Sequence, residues 1–471
     1  MKGKNKMSKT VEPRILAGFM ELLPEKQIVM NELMDTIRNN FEAFGFTPLD
    51  TPVIELSEVL LAKAGGETEK QIYRFNKGDT DLSLRFDLTV PLARYVAQRQ
   101  ADLTFPFKRY QIGKVYRGEH PQKGRFREFY QCDIDVIGRD KLNIMHDAEI
   151  PSVIYNIFTQ LGIEDFTISM SNRKILKGFF EELGLEDKAT DILRSVDKIA
   201  KTSRESVKAD LLSFEVPEEK AEKILDFITI DGKNDEVVKK LENMNIQNES
   251  FQIGLSELKD VLHGMKELGI PEENHKVDLS IARGLDYYTG TIYETTLNQH
   301  KEIGSICSGG RYENLASYYT DAKLPGVGIS IGLTRLYDQF QNRGFIQETG
   351  KRTPAEVLVL PMDKNMDLAF RYASKLRAAK IPVEVFMEKA KFGKKMTYAN
   401  KVGTPLVAII GENERLSNSI AIKDMKKGEQ QTLPFAEAVS FAMKFHNELQ
   451  QKRSKPINMN RVAVPQQNVR D

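Results

Sequence analysis

Apolar residues recur at Val29, Leu33, Ile37, Phe41 and Phe44. That three-to-four spacing marks one face of a helix over residues 25–44. Gly45 stops it, and the proline-marked stretch 45–52 continues extended. Residues 82–87 read as a strand, with a helix starting near Thr89 and Pro91. Residues 108–117 and 127–137 read as two strands joined by a polar loop, and 167–183 as strand then helix. From about 185 to 267 charge density rises, aromatic content falls and apolar residues keep helical spacing, which predicts a helical insertion. The alternation Val277, Leu279, Ile281 predicts a buried strand, with strands continuing through Ile292. Residues 326–331 read as a strand leading to a helix at Leu333.

A polar stretch at 348–354 reads as a linker. Beyond it, strands at 357–361, 382–386 and 406–410 alternate with helical segments at 364–379 and 391–401. A strand at 419–423 and a helix at 436–449 complete an α/β domain. The expected organisation is a flexible N-terminus (1–13), a first domain (14–347) carrying the insertion, the linker, a second domain (355–450) and a disordered polar tail (451–471). No internal repeat is present.

Composition narrows the classes. A chain of 471 residues accommodates two to four domains. The net charge of +1 excludes a polycation, so any nucleic-acid contact must come from local basic patches. One such patch is Lys389, Lys391, Lys394, Lys395 and Lys401, which could equally be a solvated helix face. Two cysteines in unrelated segments fit a reducing compartment, and six scattered histidines give no metal-ligand spacing. The lysines at 2, 4, 6 and 9 precede no apolar segment, and no apolar run is long enough to span a membrane. A cytoplasmic location is expected.

Three constellations carry chemistry. At Ala282–Gly290, Arg283, Asp286, Tyr287 and Tyr288 appear where a buried strand should end. A structural ion pair with two packing tyrosines is the plain alternative, because unpaired Arg and Asp are costly to bury. In the 127–137 strand, Phe129, Gln131, Asp133 and Asp135 share one face, placing an amide and two carboxylates on an expected accessible surface. Arg117 ends the preceding strand, and the loop carries Glu119, His120, Lys123, Gly124 and Arg125. Such arginines suit a polyphosphate, although an exposed charged hairpin would look the same. In the third, the glycine-rich strand from Gly326 leads to Arg335 in a first helical turn, an arrangement that favours an anion or merely close helix–strand packing. Asp87 and Thr89 sit at a strand-to-helix junction where Thr89 can be an N-cap.

These strings together resemble the histidyl-tRNA synthetase family. Ala282–Gly290 is similar to its histidine-binding signature, Arg117-Gly118-Glu119 with Arg125 and Phe129 to the second class II signature, and Gly326–Arg335 to the third. Residues 45–52 resemble the first signature, which lies at the dimer interface, and Cys307–Arg311 also fits, Cys307 as a small packing residue. The resemblance runs from about Arg14 to Leu449. It implies a multidomain α+β and α/β chain: a class II antiparallel-sheet catalytic domain with a helical insertion, plus a C-terminal α/β anticodon-binding domain.

It further implies attachment of L-histidine to tRNA(His) through a histidyl-adenylate, with ATP as substrate, Mg²⁺ on the β- and γ-phosphates, and a homodimer. Arg117 and Arg283 would be catalytic at the α-phosphate. Asp87, Thr89, Gln131, Asp135, Tyr287 and Tyr288 would bind histidine beside them. Glu119, Arg125, Phe129 and Arg335 would bind ATP with Arg117. Arg85 would be a structural partner near Asp87. The Asp87-Leu88-Thr89 string and Asp135 look like the archaeal and eukaryotic form, while Gln122–Arg125 looks bacterial. A non-catalytic paralogue, the regulatory subunit of ATP phosphoribosyltransferase, is the alternative. Such paralogues usually lack the anticodon-binding domain and lose ATP-site arginines. A synthetase for another amino acid of the subclass would leave the 283–290 string unexplained.

Overall fold

A computed structural model describes residues 11–62, 67–120, 124–199, 202–281, 288–313, 315–346, 351–362 and 366–453. Cys132, Ile134 and Val136 are fully buried on one face of the strand Glu128–Ile137. That strand pairs antiparallel with Phe107–Tyr116, in register from Phe107–Ile137 to Tyr116–Glu128. The hairpin belongs to an eight-stranded sheet in the order Thr47–Pro48, Phe107–Tyr116, Glu128–Ile137, Gly326–Ile331, Cys307–Tyr312, Thr291–Leu297, Phe166–Asn172, His275–Val277. The two outermost pairings are parallel and the inner ones antiparallel. Arg85 locks the extended 50–52 stretch to the hairpin: its guanidinium donates to the carbonyl oxygens of Lys114 (2.7 Å) and Thr51 (2.5 Å), not to Asp87.

Two compact units emerge. One is built from Arg38–Tyr155 and Asp165–Gln339 and holds the large sheet; the other contains Leu22–Ile37, Asn156–Glu164 and the chain from Phe340. The first unit also contains a three-stranded sheet, Ile54–Leu56, Thr80–Leu84 and Arg74–Lys77. The Arg74–Lys77 strand is exposed at every position, so it offers no burial alternation to read.

The expected strand at 277–281 is shorter than its alternation suggests. Val277, Leu279 and Ile281 are all buried, but the strand ends at Val277. Asp278 accepts from both the backbone N–H (3.1 Å) and the hydroxyl (2.6 Å) of Ser280, an Asx turn that bends the chain out of the sheet. Residues 282–287, including Arg283, Asp286 and Tyr287, lie outside the described residues.

The insertion is helical as expected: Ala189–Val196, Arg204–Ser213, Glu218–Ile228, Asn234–Asn243 and Glu249–Glu267. The last packs on the helix Arg173–Glu182 through two glycines. A Cβ on Gly178 would fall 2.4 Å from the Phe251 nitrogen, and one on Gly254 2.7 Å from the Ile175 nitrogen. Glu257 accepts from Asn172 (2.8 Å) and pairs with Lys174, gripping the start of the same helix. The Arg173 amide in turn donates to the Gly290 carbonyl, 2.9 Å away.

In the second unit, Val383–Val385, Val357–Pro361 and Leu406–Ile410 pair in parallel, and Ser419–Asp424 and Gln430–Pro434 extend the sheet antiparallel. Val359, Ala408 and Ile410 pack with Tyr372, Leu376 and Ala438 from flanking helices. The closing helix runs Phe435–Arg453, beyond the expected end at 449 and into the expected tail. The rest of that tail, residues 1–10 of the expected flexible N-terminus, and 348–350 of the linker lie outside the described residues. Lys395 leaves the expected basic patch: it is buried and donates inward to the Pro361 carbonyl, 2.5 Å away. Among the described residues no helix is long and apolar enough to cross a membrane.

Candidate active site

A cavity of about 430 Å³ opens over the middle of the eight-stranded sheet. Its lining includes Asp87, Thr89, Arg117, Glu119, Arg125, Phe129, Gln131, Asp135, Tyr288 and Arg335. Every sequence-selected site residue within the described chain therefore meets in one place. Arg283 and Tyr287 fall outside it, as do Gln122 and Lys123 of the hairpin loop.

Period two places Phe129, Gln131, Asp133 and Asp135 along one line of about 20 Å at roughly 3.3 Å per residue. The expectation that this face is an accessible surface is corrected: Gln131, Asp133 and Asp135 are 8%, 2% and 4% exposed. Strands on both sides, and the 288–312 region above, enclose them.

The glycines explain how a carboxylate fits there. Across the sheet Arg109, Asp135, Gly328 and Gly310 stand in register. A Cβ on Gly328 would fall 2.2 Å from Asp135 Oδ1, and one on Gly310 3.0 Å from the Tyr288 ring. The bare backbone leaves room for Asp135 to pair with Arg109 at 2.5 Å and to accept from the Tyr312 hydroxyl at 2.9 Å.

Arg109, wholly buried, was not anticipated from sequence; a cation opposite Asp135 in an otherwise packed strand was the available signal. Burial pushes Asp133 up to about 7 and Asp135 up to about 6, against the pull of Arg109. Burial also raises Asp87, opposed by backbone hydrogen bonds and by Arg117. Gln131 donates to Ser330 Oγ at 2.6 Å, whereas Gln131 Oε1 and Asp133 Oδ1 accept no hydrogen bond from any described residue. This end of the cavity thus presents acceptors and negative charge to a small cationic donor.

The Thr89 N-cap expectation is also corrected. Asp87 Oδ1 accepts from the Thr89 and Val90 amides at 3.1 and 2.9 Å, so Asp87 caps the helix Thr89–Arg99 and leaves Thr89 to face the cavity. A carboxylate at a helix N-terminus also meets the favourable end of its dipole.

The opposite end is cationic. The Arg117 guanidinium lies 4.3 Å from the Phe86 ring centre and 5.1 Å from that of Phe129, and donates to the Phe86 carbonyl at 3.3 Å. Arg125 is largely exposed, 3.5 Å from Glu119. Arg335 enters from the first turn of the helix Leu333–Asn342 and donates to the Ile303 carbonyl. Burial, then repulsion from Arg125, lowers the pKa of Arg335, as expected of two cations directed at one anion. Gly124, at φ 75°, gives the hairpin loop its bend; a Cβ there would meet the Gln339 amide nitrogen at 2.5 Å. Cys307 is buried and its thiol is pushed well up by burial, which suits packing and not nucleophilic attack.

Carboxylates and an amide at one end, with three arginines at the other, match a substrate pair that is cationic on one side and polyanionic on the other. Similarity to known proteins agrees. A family model described as histidyl-tRNA synthetase matches residues 18–336, more than half of the chain, and an anticodon-binding domain model matches 356–444. The chain is 56% identical to the histidine–tRNA ligase of Clostridium tetani over 91% of its own length and 98% of that protein's. The crystal structure of a histidyl-tRNA synthetase from Nostoc sp. PCC 7120 superposes with a TM-score of 0.85 at 40% identity, covering 93% of this chain and all of that one. A Bacillus halodurans structure titled as an ATP phosphoribosyltransferase regulatory subunit/histidyl-tRNA synthetase shares the fold, with a TM-score of 0.71 at 20% identity, covering 86% of this chain and 99% of its own. The chain belongs to the histidyl-tRNA synthetase family.

Proposed function

We propose that the chain is a histidine–tRNA ligase, joining L-histidine to tRNA(His) with ATP as substrate. The observation that carries this is the polarised cavity: buried acceptors Gln131, Asp133 and Asp135 at one end, Arg117, Arg125 and Arg335 at the other. The regulatory paralogue is not favoured, because such subunits usually lose the ATP-site arginines and lack the anticodon-binding domain, whereas Arg117, Arg125 and Arg335 line this cavity and residues 356–444 match an anticodon-binding domain model.

In the first step a carboxylate oxygen of histidine attacks the α-phosphorus of ATP. The O–P bond forms as the bond to the β-phosphate breaks, giving histidyl-adenylate and pyrophosphate. In the second, a hydroxyl of the terminal tRNA ribose attacks the histidyl carbonyl and AMP leaves. No protein nucleophile is required, so the residues position the reactants and stabilise charge. Arg117, with Arg283, would stand at the α-phosphate. Arg125 and Arg335 would hold the departing pyrophosphate, and Glu119 and Phe129 the nucleotide beside them. Asp87, Thr89, Gln131, Asp135, Tyr287 and Tyr288 would surround histidine, with Asp133 added to that set. Buried acceptors for the substrate's N–H groups disfavour isosteres that would leave them unpaired.

A magnesium ion would supply charge neutralisation at the phosphates. Among the described residues no group of three acids, histidines or cysteines is arranged to hold a metal. A homodimer is supported by the exposed edge strand Thr47–Pro48 and by the exposed apolar side chains of Val53, Ile54, Leu56 and Phe75. The domain limits 14–347 and 355–450, and a cytoplasmic location, are part of the same proposal.

ATP–pyrophosphate exchange with each amino acid singly tests the reading. Exchange dependent on histidine alone is the expected result; exchange with none, by folded protein, would end it. The raised carboxyls add a pH dependence. Asp133 and Asp135 must be ionised to receive a cationic substrate, so affinity holds above about 7 and declines as pH falls through 7 and 6. The KM for histidine should be several-fold larger at pH 6 than at pH 8, with the KM for ATP changing less. In Asp133→Asn the upper inflection should vanish. An unchanged inflection would assign it to the substrate's own imidazole.

A further inference from the structure

Two arginines directed at one anion repel each other until the anion arrives. The hairpin loop that brings Arg125 towards Arg335 therefore needs an anchor that does not depend on the nucleotide. Its internal bonds close its base: the Arg117 amide donates to the Arg127 carbonyl and Arg127 Nε to the Glu119 carbonyl, each at 2.9 Å. The helix Leu333–Asn342 adds two contacts from outside. In its first turn the buried Thr334 accepts from the Tyr130 amide at 2.8 Å, tying the helix to the strand that follows the loop. Gln339 comes four residues after Arg335, so the two side chains leave the same side of the helix about 6 Å apart along its axis. Arg335 lines the cavity, whereas Gln339 is buried against the loop. Its amide nitrogen, which also donates to Asp338 at 3.4 Å, would stand 2.5 Å from a Cβ on Gly124, the residue before Arg125.

We infer that Gln339 is a positioning residue for the pyrophosphate end of the site: by seating Gly124 it holds Arg125 near Arg335 against their mutual repulsion, so that both meet the triphosphate together. A neutral side chain suits the task. A cation at 339 would add to the repulsion, and a carboxylate would compete with the phosphates for Arg125. The inference rests on the histidine–tRNA ligase reading and adds to its ATP site a residue that lies beyond the Gly326–Arg335 string.

Histidine-dependent ATP–pyrophosphate exchange tests it, each substrate being varied with the other saturating. Gln339→Ala should raise the KM for ATP about fivefold, within the range of coupling between groups in contact, and leave the KM for histidine unchanged. Gln339→Met, with the same reach and no amide, should restore most of the loss. In an Arg125→Ala background Gln339→Ala should have little further effect, because the group it positions is gone. Gly124→Ala should raise the KM for ATP at least as much, since its methyl would meet the amide and a φ of 75° disfavours a side chain. Adding Gln339→Ala to Gly124→Ala should recover part of that loss by vacating the space. An unchanged KM for ATP in Gln339→Ala, parallel rises for both substrates, or a fivefold effect that persists without Arg125 would overturn the assignment. So would equal losses in the methionine and alanine variants. Absence of exchange in the unmodified protein would overturn the underlying functional reading instead.

Discussion

Arg117→Ala is expected to slow histidine-dependent adenylate formation by about 10²–10³-fold, the scale of removing one preorganised charge-stabilising donor. The side chain is stacked between Phe86 and Phe129, and its backbone amide is held by the Arg127 carbonyl at 2.9 Å. Its guanidinium is thus fixed before substrate arrives, the condition under which such a group lowers a barrier most. The fold loses little, because a partly exposed cation–π contact is worth about 0.5–1 kcal/mol. Arg117→Lys should remain poor: an ammonium keeps the charge but neither stacks as a plane nor offers two parallel donors. Pyrophosphate exchange and thermal unfolding, measured side by side, decide the matter. Near-normal exchange in Arg117→Ala would remove it from the reaction. Arg283→Ala is expected to give the same loss with the fold spared.

The second large effect is on stability. Arg109→Leu should destabilise the first unit by about 3–5 kcal/mol, because it strands Asp135 and Asp133 in the interior without their cation. The loss should depend on pH in a defined direction. Both carboxyls already sit above their unfolded values, and without Arg109 they rise further. A raised carboxyl contributes most when protonated, and that contribution is lost as pH rises from about 4 through the folded-state value. The variant should therefore lie nearest to the parent at pH 5 and furthest at pH 8. Replacing Asp135 by Leu as well should recover part of the stability and none of the histidine binding. Thermal unfolding of the parent and both variants at the two pH values measures this; a pH-independent difference would show that the carboxyls stay fully ionised.

Sequence pattern predicted the central hairpin because Tyr130 to Val136 alternate strictly, and the insertion because charge density rises there while apolar residues keep helical spacing. It missed features that depend on partners remote in sequence. The helix Met145–Gln160 is hidden by Pro151, an interior breaker on local rules. The strand Gln430–Pro434 is almost wholly exposed and is held by its neighbour's backbone, with no burial pattern to reveal it. Site residues were legible where local strings carried them, as at Arg117 and Arg335. Arg109 was not, because its meaning lies across the strand in Asp135. The burial of Asp133 likewise depends on the closing segments around residues 288–312, which no local window contains.

The close contact at Gly178 and Gly254 bears on how this family can be recombined. The insertion is joined to the sheet at its ends and also fused along one helix, with Glu257 holding Asn172 and Lys174, and Arg173 holding Gly290. It is therefore not an exchangeable module. A chimera that borrows 185–267 from a relative must bring the helix Arg173–Glu182 with it, or the two halves of that interface meet as strangers. Descent should leave its mark there: these two helices change together, and the backbone at Gly290, which the Arg173 amide holds, inherits the outcome.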